Sequence, residues 1–326
     1  MNAVALTAFG GPEGLRFGER PDPVAPPGWV VVELRAAALN WHDVLVREGR
    51  YDVALPRIPG ADGAGVRRDT GEAVVILPSL RWGADDRFPA PEFEILGDHT
   101  DGTYAELVAV PEGNVYAKPS GWSWAEAAAL PLAGLTAFRA LFARGGLRAG
   151  ETVLILGAGS GVSTMAIALA TLAGARVLVT SSSADKVERA CELGAAGGVL
   201  YTEADWVAQA RALAGTGGID LVIDSVGATW PDGLAVLNGG GRLVSFGATA
   251  GDQATVAVRP FYFGQHTILG TTMGSPRDFA GLLALVAAHP SWRPVVHGTR
   301  PLDAAAAAQA ELARREHFGK LVLSIG

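Results

Sequence analysis

Residues 154–166, LILGAGSGVSTMA, set Gly157, Ala158, Gly159, Ser160, Gly161, Val162 and Ser163 between an apolar run and an Ala-rich one. A chain that turns from strand to helix through residues this small can bring its amides against a phosphate, and the helix dipole attracts the anion. The spacing G-x-G-x-x-G fails at its last position, Val162, so a ligand-free bend stays open as an alternative. Roughly 20 residues on, where a carboxylate would bind the ribose hydroxyls of NAD, the sequence reads TSSSADK. Thr180, Ser181, Ser182 and Ser183 offer hydroxyls there, and Lys186 follows a turn into the next helix. Such groups accept a phosphate on the ribose, which a carboxylate would repel, so the expected cofactor is NADPH rather than NADH. Ser183 also reads as a cap for the helix that starts near Ala184.

The elements that must hold these groups follow from hydrophobic pattern. Apolar runs at 152–157, 175–181, 197–201, 220–227, 241–247 and 267–272 alternate, for the first five, with helical stretches such as 161–173 and 184–193. Continuous apolar strands separated by helices predict a parallel sheet covered on both faces, a Rossmann-type domain at 121–274. Upstream, over 1–120, Pro and Gly punctuate short alternating runs such as WVVVELRAAAL and EAVVILP, the pattern of antiparallel strands. A helix at 303–316 and a last strand, GKLVLSIG, are expected to complete the first domain as part of 275–326. The strand at 267–272 would be an open sheet edge, which a second copy of the chain could pair, so a homodimer is expected.

Composition narrows the partners. At 326 residues the chain is long enough for about two domains. A net charge of −7 without any run of Lys and Arg gives nucleic acid no electrostatic footprint. The single cysteine, Cys191, can form neither an internal disulfide nor a cysteine-based zinc site. The N-terminal stretch lacks a basic start, and the most apolar segment is broken at Gly174, so neither a secretory signal nor a spanning helix is expected. A soluble cytoplasmic protein is the resulting expectation.

Five segments, in order along the whole chain, carry a family resemblance: ALNWHDVLVREGRYDVALPRIPGADGAGVRRD, GDHTDGTYAELVAVP, AAALPLAGLTAFRALF, the glycine turn, and HFGKLVLSIG. The chain resembles the medium-chain dehydrogenase/reductase superfamily, in its zinc-free, quinone oxidoreductase-like branch. The resemblance implies an α/β fold, a doubly wound Rossmann sheet plus a GroES-like, mainly antiparallel β catalytic domain. Where zinc alcohol dehydrogenases of the superfamily carry a ligand Cys, a His-Glu pair and a second Cys, this chain has Asn40, Ala61 with Asp62, and a position near Leu132. No metal is therefore expected, and without that Lewis acid alcohol oxidation is disfavoured. What the resemblance implies instead is NADPH-dependent hydride transfer to a quinone or an α,β-unsaturated carbonyl. The alternatives are a non-catalytic NADPH-binding sensor or structural protein of this fold, and, less favoured, a zinc alcohol dehydrogenase.

By the same resemblance Asn40 and Tyr51 face the nicotinamide and could donate hydrogen bonds to a developing oxyanion. Thr136 touches the nicotinamide side and Tyr201 lines the adenosine phosphate pocket. Ser225, Gly227, Phe246, Gly247, Thr272 and Met273 follow strands four to six, and Lys320 stands near the cofactor phosphates, with a surface role as its alternative. His42 reads as a packed histidine and Asp43 as a helix-terminus partner. The loop 79–102, with Trp82, Phe88 and Phe93, either borders the acceptor pocket or packs on its own domain.

Overall fold

A computed structural model describes the whole chain, Met1–Gly326, as two compact units. One comprises Met1–Leu135 with Gly274–Gly326, the other Thr136–Met273. The first division thus falls at Leu135, later than the change of texture near residue 120 suggests. The reason is local: a short helix after that point packs on strands of the first unit rather than joining the Ala-rich helices that follow it.

The first unit begins with a hairpin, β1 (Asn2–Leu6) against β2 (Leu15–Glu19). The long strand β3 (Trp29–Ala38) alternates half-buried and buried residues over Trp29–Leu34, as its sequence predicts, and leads into α1 (Trp41–Arg47). Then come β4 (Asp62–Arg67), β5 (Ala73–Ile76), the small pair β6 (Ser79–Leu80) and β7 (Glu94–Ile95), β8 (Leu107–Pro111) and β9 (Val115–Ala117). Two helices follow, α2 (Trp124–Ala129) and α3 (Pro131–Phe138). Ser123 opens α2, its hydroxyl accepting from the Glu126 amide while the Glu126 carboxylate accepts from the Ser123 amide, which satisfies donors the helix leaves free.

The second unit is a six-stranded parallel sheet. Its strands are β10 (Thr152–Ile155), β11 (Arg176–Ser181), β12 (Gly197–Leu200), β13 (Ile219–Asp224), β14 (Leu237–Ser245) and β15 (Thr267–Gly270). They lie in the order β12-β11-β10-β13-β14-β15. This is the doubly wound arrangement, whose order reverses between β10 and β13. Helices α4 (Gly161–Leu172), α5 (Ala184–Glu192), α6 (Trp206–Ala214), α7 (Trp230–Ala235) and α8 (Val258–Phe263) connect the strands. Leu154, Leu178, Val222 and Leu243, one from each of four strands, sit together in a core closed to water. Asp224, at the end of β13, accepts from the amides of Val226 and Gly227, from Trp230 Nε1 and from Ser245 Oγ, which fixes how the chain leaves the strand.

The chain then returns to the first unit. Here the structure adds two elements to those the sequence pattern yields, α9 (Pro276–Ala288) and β16 (Val296–Pro301), before α10 (Ala305–Ala313) and β17 (Lys320–Ser324). The capping residues Ser275 and Asp278 were a legible start signal for α9. The completed sheet runs β16-β17-β3-β4-β5-β9, with β8 also paired to β3. Its β17 lies antiparallel to the end of β3, Val322 opposite Ala38, which delivers the start of β17 beside the residues that open α1. No helix is long and apolar enough to cross a membrane.

Candidate active site

In a parallel sheet every strand ends on the same edge, and there the second unit gathers most of the expected cofactor residues. Gly157 takes a φ of +77°, open to glycine and strained for residues with a Cβ, so the turn after β10 is specified by residue type. Ser160 caps α4: its hydroxyl accepts from the Ser163 amide at 3.0 Å and lies 2.8 Å from the Ser163 hydroxyl. The two serines thus engage each other. The amides of Ser160, Gly161 and Val162 have no acceptor within the protein, so they are the donors an anion would meet. Thr180, at the end of β11, accepts from the Gly157 amide at 3.1 Å, while its carbonyl accepts from the Ala158 amide at 2.7 Å. That pins the turn to β11.

Ser181 is buried and accepts from the Ser183 amide; Ser182 is exposed, and the Ser183 hydroxyl accepts from the Lys186 amide as the cap of α5. Tyr201 follows β12, Ser225 and Gly227 follow β13, Phe246 and Gly247 follow β14, and Thr272 and Met273 follow β15. Thr136 belongs to this unit as well, its Oγ1 lying 4.0 Å from the Met273 sulfur.

The first unit brings together residues at the positions that the resemblance aligns with the zinc ligands of alcohol dehydrogenases. Asp62, fully buried, accepts at Oδ1 from the Leu132 amide (2.7 Å) and at Oδ2 from Asn40 Nδ2 (2.9 Å) and Lys320 Nζ (2.9 Å). Lys320, 2% exposed, also donates to the Leu39 carbonyl (2.8 Å) and to Asn40 Oδ1 (2.5 Å). All three ammonium hydrogens are therefore occupied. This corrects the expectation for Lys320, which is neither a surface lysine nor left with a donor for a cofactor phosphate. Asn40 is corrected in the same way. Its Nδ2 points to Asp62 and to the Ala38 carbonyl, its Oδ1 to Lys320, so its amide positions the cluster and has no donor for a substrate oxygen.

Next to this cluster Asp43 accepts from the Asn40 amide (2.8 Å) and from the Tyr104 hydroxyl (3.0 Å), the helix-terminus role expected of it. Burial pushes its carboxyl up to about 6, against the opposing pull of His42 and the two hydrogen bonds. Tyr104 is held well above its ordinary value, first by burial and then by the charge of Asp43.

Tyr51 is 42% exposed, and its ring meets the His42 ring edge-on at 4.6 Å between centroids. Its hydroxyl is raised, by burial first and by the Asp98 charge second, which keeps it protonated. His42 Nε2 lies 2.7 Å from Asp98 Oδ1. Sequence reasoning missed this pair, because 56 residues separate its members and no local pattern links them. In the loop 79–102, Trp82 is buried and stacks edge-on with Phe93, so these two pack on their own domain, whereas Phe88 is exposed.

Over residues 26–120 the chain matches the family model described as an alcohol dehydrogenase GroES-like domain, and over 161–288 the one described as a zinc-binding dehydrogenase. It is 33% identical over 319 residues to a zinc-type alcohol dehydrogenase-like protein of Schizosaccharomyces pombe, covering 92% of this chain and 91% of that one. The chain belongs to the medium-chain dehydrogenase/reductase family. A crystal structure of an NAD-dependent alcohol dehydrogenase superposes with a TM-score of 0.94 at 41% identity, covering 100% of both chains. The quinone oxidoreductase of Thermus thermophilus, whose complex with NADPH was also solved, superposes with a TM-score of 0.83 at 31% identity over 100% of both chains. This medium-chain dehydrogenase/reductase is quinone oxidoreductase-like, an oxidoreductase served by a nicotinamide dinucleotide.

The glycine turn of this medium-chain dehydrogenase/reductase, with its open amides, fits the pyrophosphate of such a cofactor. A zinc ion fits less well. It needs thiolate, imidazole or carboxylate donors, and the positions concerned hold an amide, a methyl and an isobutyl group, while the one carboxylate there, Asp62, already pairs with the Lys320 ammonium.

Replacing Lys320 by Met should leave Asp62 buried without its countercharge and lower the unfolding free energy by about 3–5 kcal/mol. Adding Asp62→Asn should recover part of that loss, and urea titrations of the single and double variants measure it. A second outcome concerns pH. Because the folded-state pKa of Asp43 lies above its ordinary 3.8, at about 6, its contribution is fully present below about pH 4 and lost as pH rises through 6. Relative to Asp43→Asn, the wild type should lose on the order of 2–3 kcal/mol between pH 4 and pH 7. A difference independent of pH would refute the assignment.

Proposed function

We propose that the protein is an NADPH-dependent reductase of quinones or α,β-unsaturated carbonyls that works without zinc. The observation that carries this reading is the Lys320 ammonium, seated between Asn40 and Asp62 where the metal-dependent relatives are expected to hold their ion. A protein cation already paired to Asp62 gives no Lewis acid to an alcohol oxygen. A conjugated acceptor needs none, because it spreads the incoming charge onto its own oxygen. The dinucleotide, when bound, supplies the hydride. The chain's part is to hold the acceptor and meet its oxygen with a donor. Tyr51, exposed and kept neutral by burial and by Asp98, supports that role.

The preference for NADPH rests on the β11 end, where Ser181, Ser182 and Lys186 stand and no carboxylate does. Calorimetric titration should give a dissociation constant at least about tenfold lower for NADPH than for NADH, and Lys186→Ala should remove most of that difference. Anaerobic mixing of the NADPH complex with quinones and enones should then bleach the reduced-nicotinamide absorbance. Equal affinity for the two dinucleotides would overturn the NADPH reading, and the absence of acceptor-dependent bleaching would overturn the reductase.

The same reading includes a homodimer. β15 pairs only with β14, which leaves its other edge without partners, and α8 nearby in sequence exposes Val258 (71%) and Phe263 (70%). A second copy pairing β15 to β15 would satisfy the edge symmetrically. Sedimentation at micromolar concentration should give twice the 33.6 kDa chain mass, and a monomer would refute the pairing.

A further inference from the structure

Outside the buried ammonium cluster, one group of side chains in the first unit has the composition of a proton-transfer device. His42 stands in the first turn of α1, two residues after Asn40. Asp98 reaches it from a loop that is held in place by backbone contact: Gly97 has a φ of +100°, and a Cβ there would lie 2.8 Å from the Gly60 nitrogen. The carboxylate is therefore delivered to the imidazole by a segment whose backbone lies close against that of Gly60. A carboxylate can only accept, so Nε2 carries the hydrogen in their 2.7 Å contact and the other ring nitrogen, Nδ1, is turned away from Asp98. Nδ1 has no protein partner, and the ring keeps a tenth of its surface open. Tyr51, the exposed aromatic, covers the ring edge-on. The charged or titratable groups facing the imidazole are thus Asp98, Asp43 and Tyr51.

We propose that His42, oriented by Asp98, is the catalytic acid of the reduction. This rests on the reductase reading above and adds the source of its proton. When hydride, with its electron pair, reaches the acceptor, one acceptor oxygen takes the negative charge. The Nδ1–H bond of the His42 imidazolium then breaks as an O–H bond forms on that oxygen. The ring is left neutral, its remaining hydrogen on Nε2 and held by Asp98, and solvent returns a proton to Nδ1. One acceptor, one reduced dinucleotide and one proton yield the reduced acceptor and the oxidised dinucleotide. Tyr51, whose hydroxyl is raised by burial and by the Asp98 charge and so stays neutral, contributes a hydrogen bond to the same oxygen. An imidazole is the side chain suited to exchange a proton near neutral pH.

The test uses the full-length protein with NADP⁺ and 4-nitrophenol, whose phenolate mimics the oxygen anion and whose absorbance reports its own protonation. In nitrogen-labelled protein the His42 ring signals, assigned by their loss in His42→Gln, should move on adding the mimic. Nδ1 should stay protonated to a higher pH than in the mimic-free protein. His42→Gln should weaken phenolate binding at least about tenfold, and Asp98→Asn should shift the ring toward the other tautomer. In turnover with an enone, His42→Gln should lower kcat about a hundredfold and flatten its decline at high pH, with KM changed little. If the His42 signals do not respond to the phenolate, or if His42→Gln turns over with the wild-type rate and pH profile, the proposal is wrong while the reductase stands. If the wild type binds the phenolate through His42 yet no quinone or enone accepts hydride from NADPH, the reductase reading fails and the role of His42 as an acid fails with it.

Discussion

Removing a carboxylate and an ammonium from water costs several kcal/mol for each ion, and the folded chain tolerates it only where every hydrogen and lone pair finds a partner. Asp62 and Lys320 meet that condition by drawing in the Leu39 carbonyl, both ends of the Asn40 amide and the Leu132 amide. Four segments that are far apart in sequence are thereby fixed to one another: the start of β4, the entrance to α1, the second residue of α3 and the first residue of β17. The sheet register places Lys320 and the end of β3 side by side, and the ion pair makes that register matter to the site.

The same cluster decides which chemistry remains open. An asparagine with both of its ends engaged cannot also serve a substrate, and an ammonium with three acceptors cannot also serve a phosphate. The groups still available on the first unit are those just beyond the cluster, at the start of α1 and in the Asp98 loop. Asp43 links the two regions. It fastens the Asn40 amide at the helix entrance, and its burial, like that of Tyr104, places a proton-sensitive carboxyl next to His42 in sequence.

The second unit reaches its function by a different physical route, with no buried charge cluster at the turn. The amides its glycine turn offers an anion are left open by helix geometry, and side chains there serve chiefly to hold the turn still. Ser160 and Ser163 cap, Thr180 fastens the turn to β11, and Asp224 orders the exit from β13. This explains why Val162 can replace a glycine in the G-x-G-x-x-G spacing: the requirement falls on the backbone, and Gly157 and Gly159 supply the unusual φ values the turn adopts.

The parallel strands, the turn and the hydroxyl-rich end of β11 were legible in the sequence because each is a local pattern, an apolar run of strand length or a set of small residues at one bend. So was the β structure of the N-terminal region, where alternation over Trp29–Leu34 marks one buried face. The capping pair that opens α9 was equally local, yet the Ala-rich stretch beyond it was easier to recognise at 303–316. What the sequence could not decide was every contact that closes a long loop. The pairing of Lys320 with Asp62 spans 258 residues and that of His42 with Asp98 spans 56. A lysine before a strand and a histidine in a helix carry the same local signature whether they end in water, on a phosphate or against a buried carboxylate. Only the tertiary fold, by setting which strand neighbours which, determined that both found carboxylates.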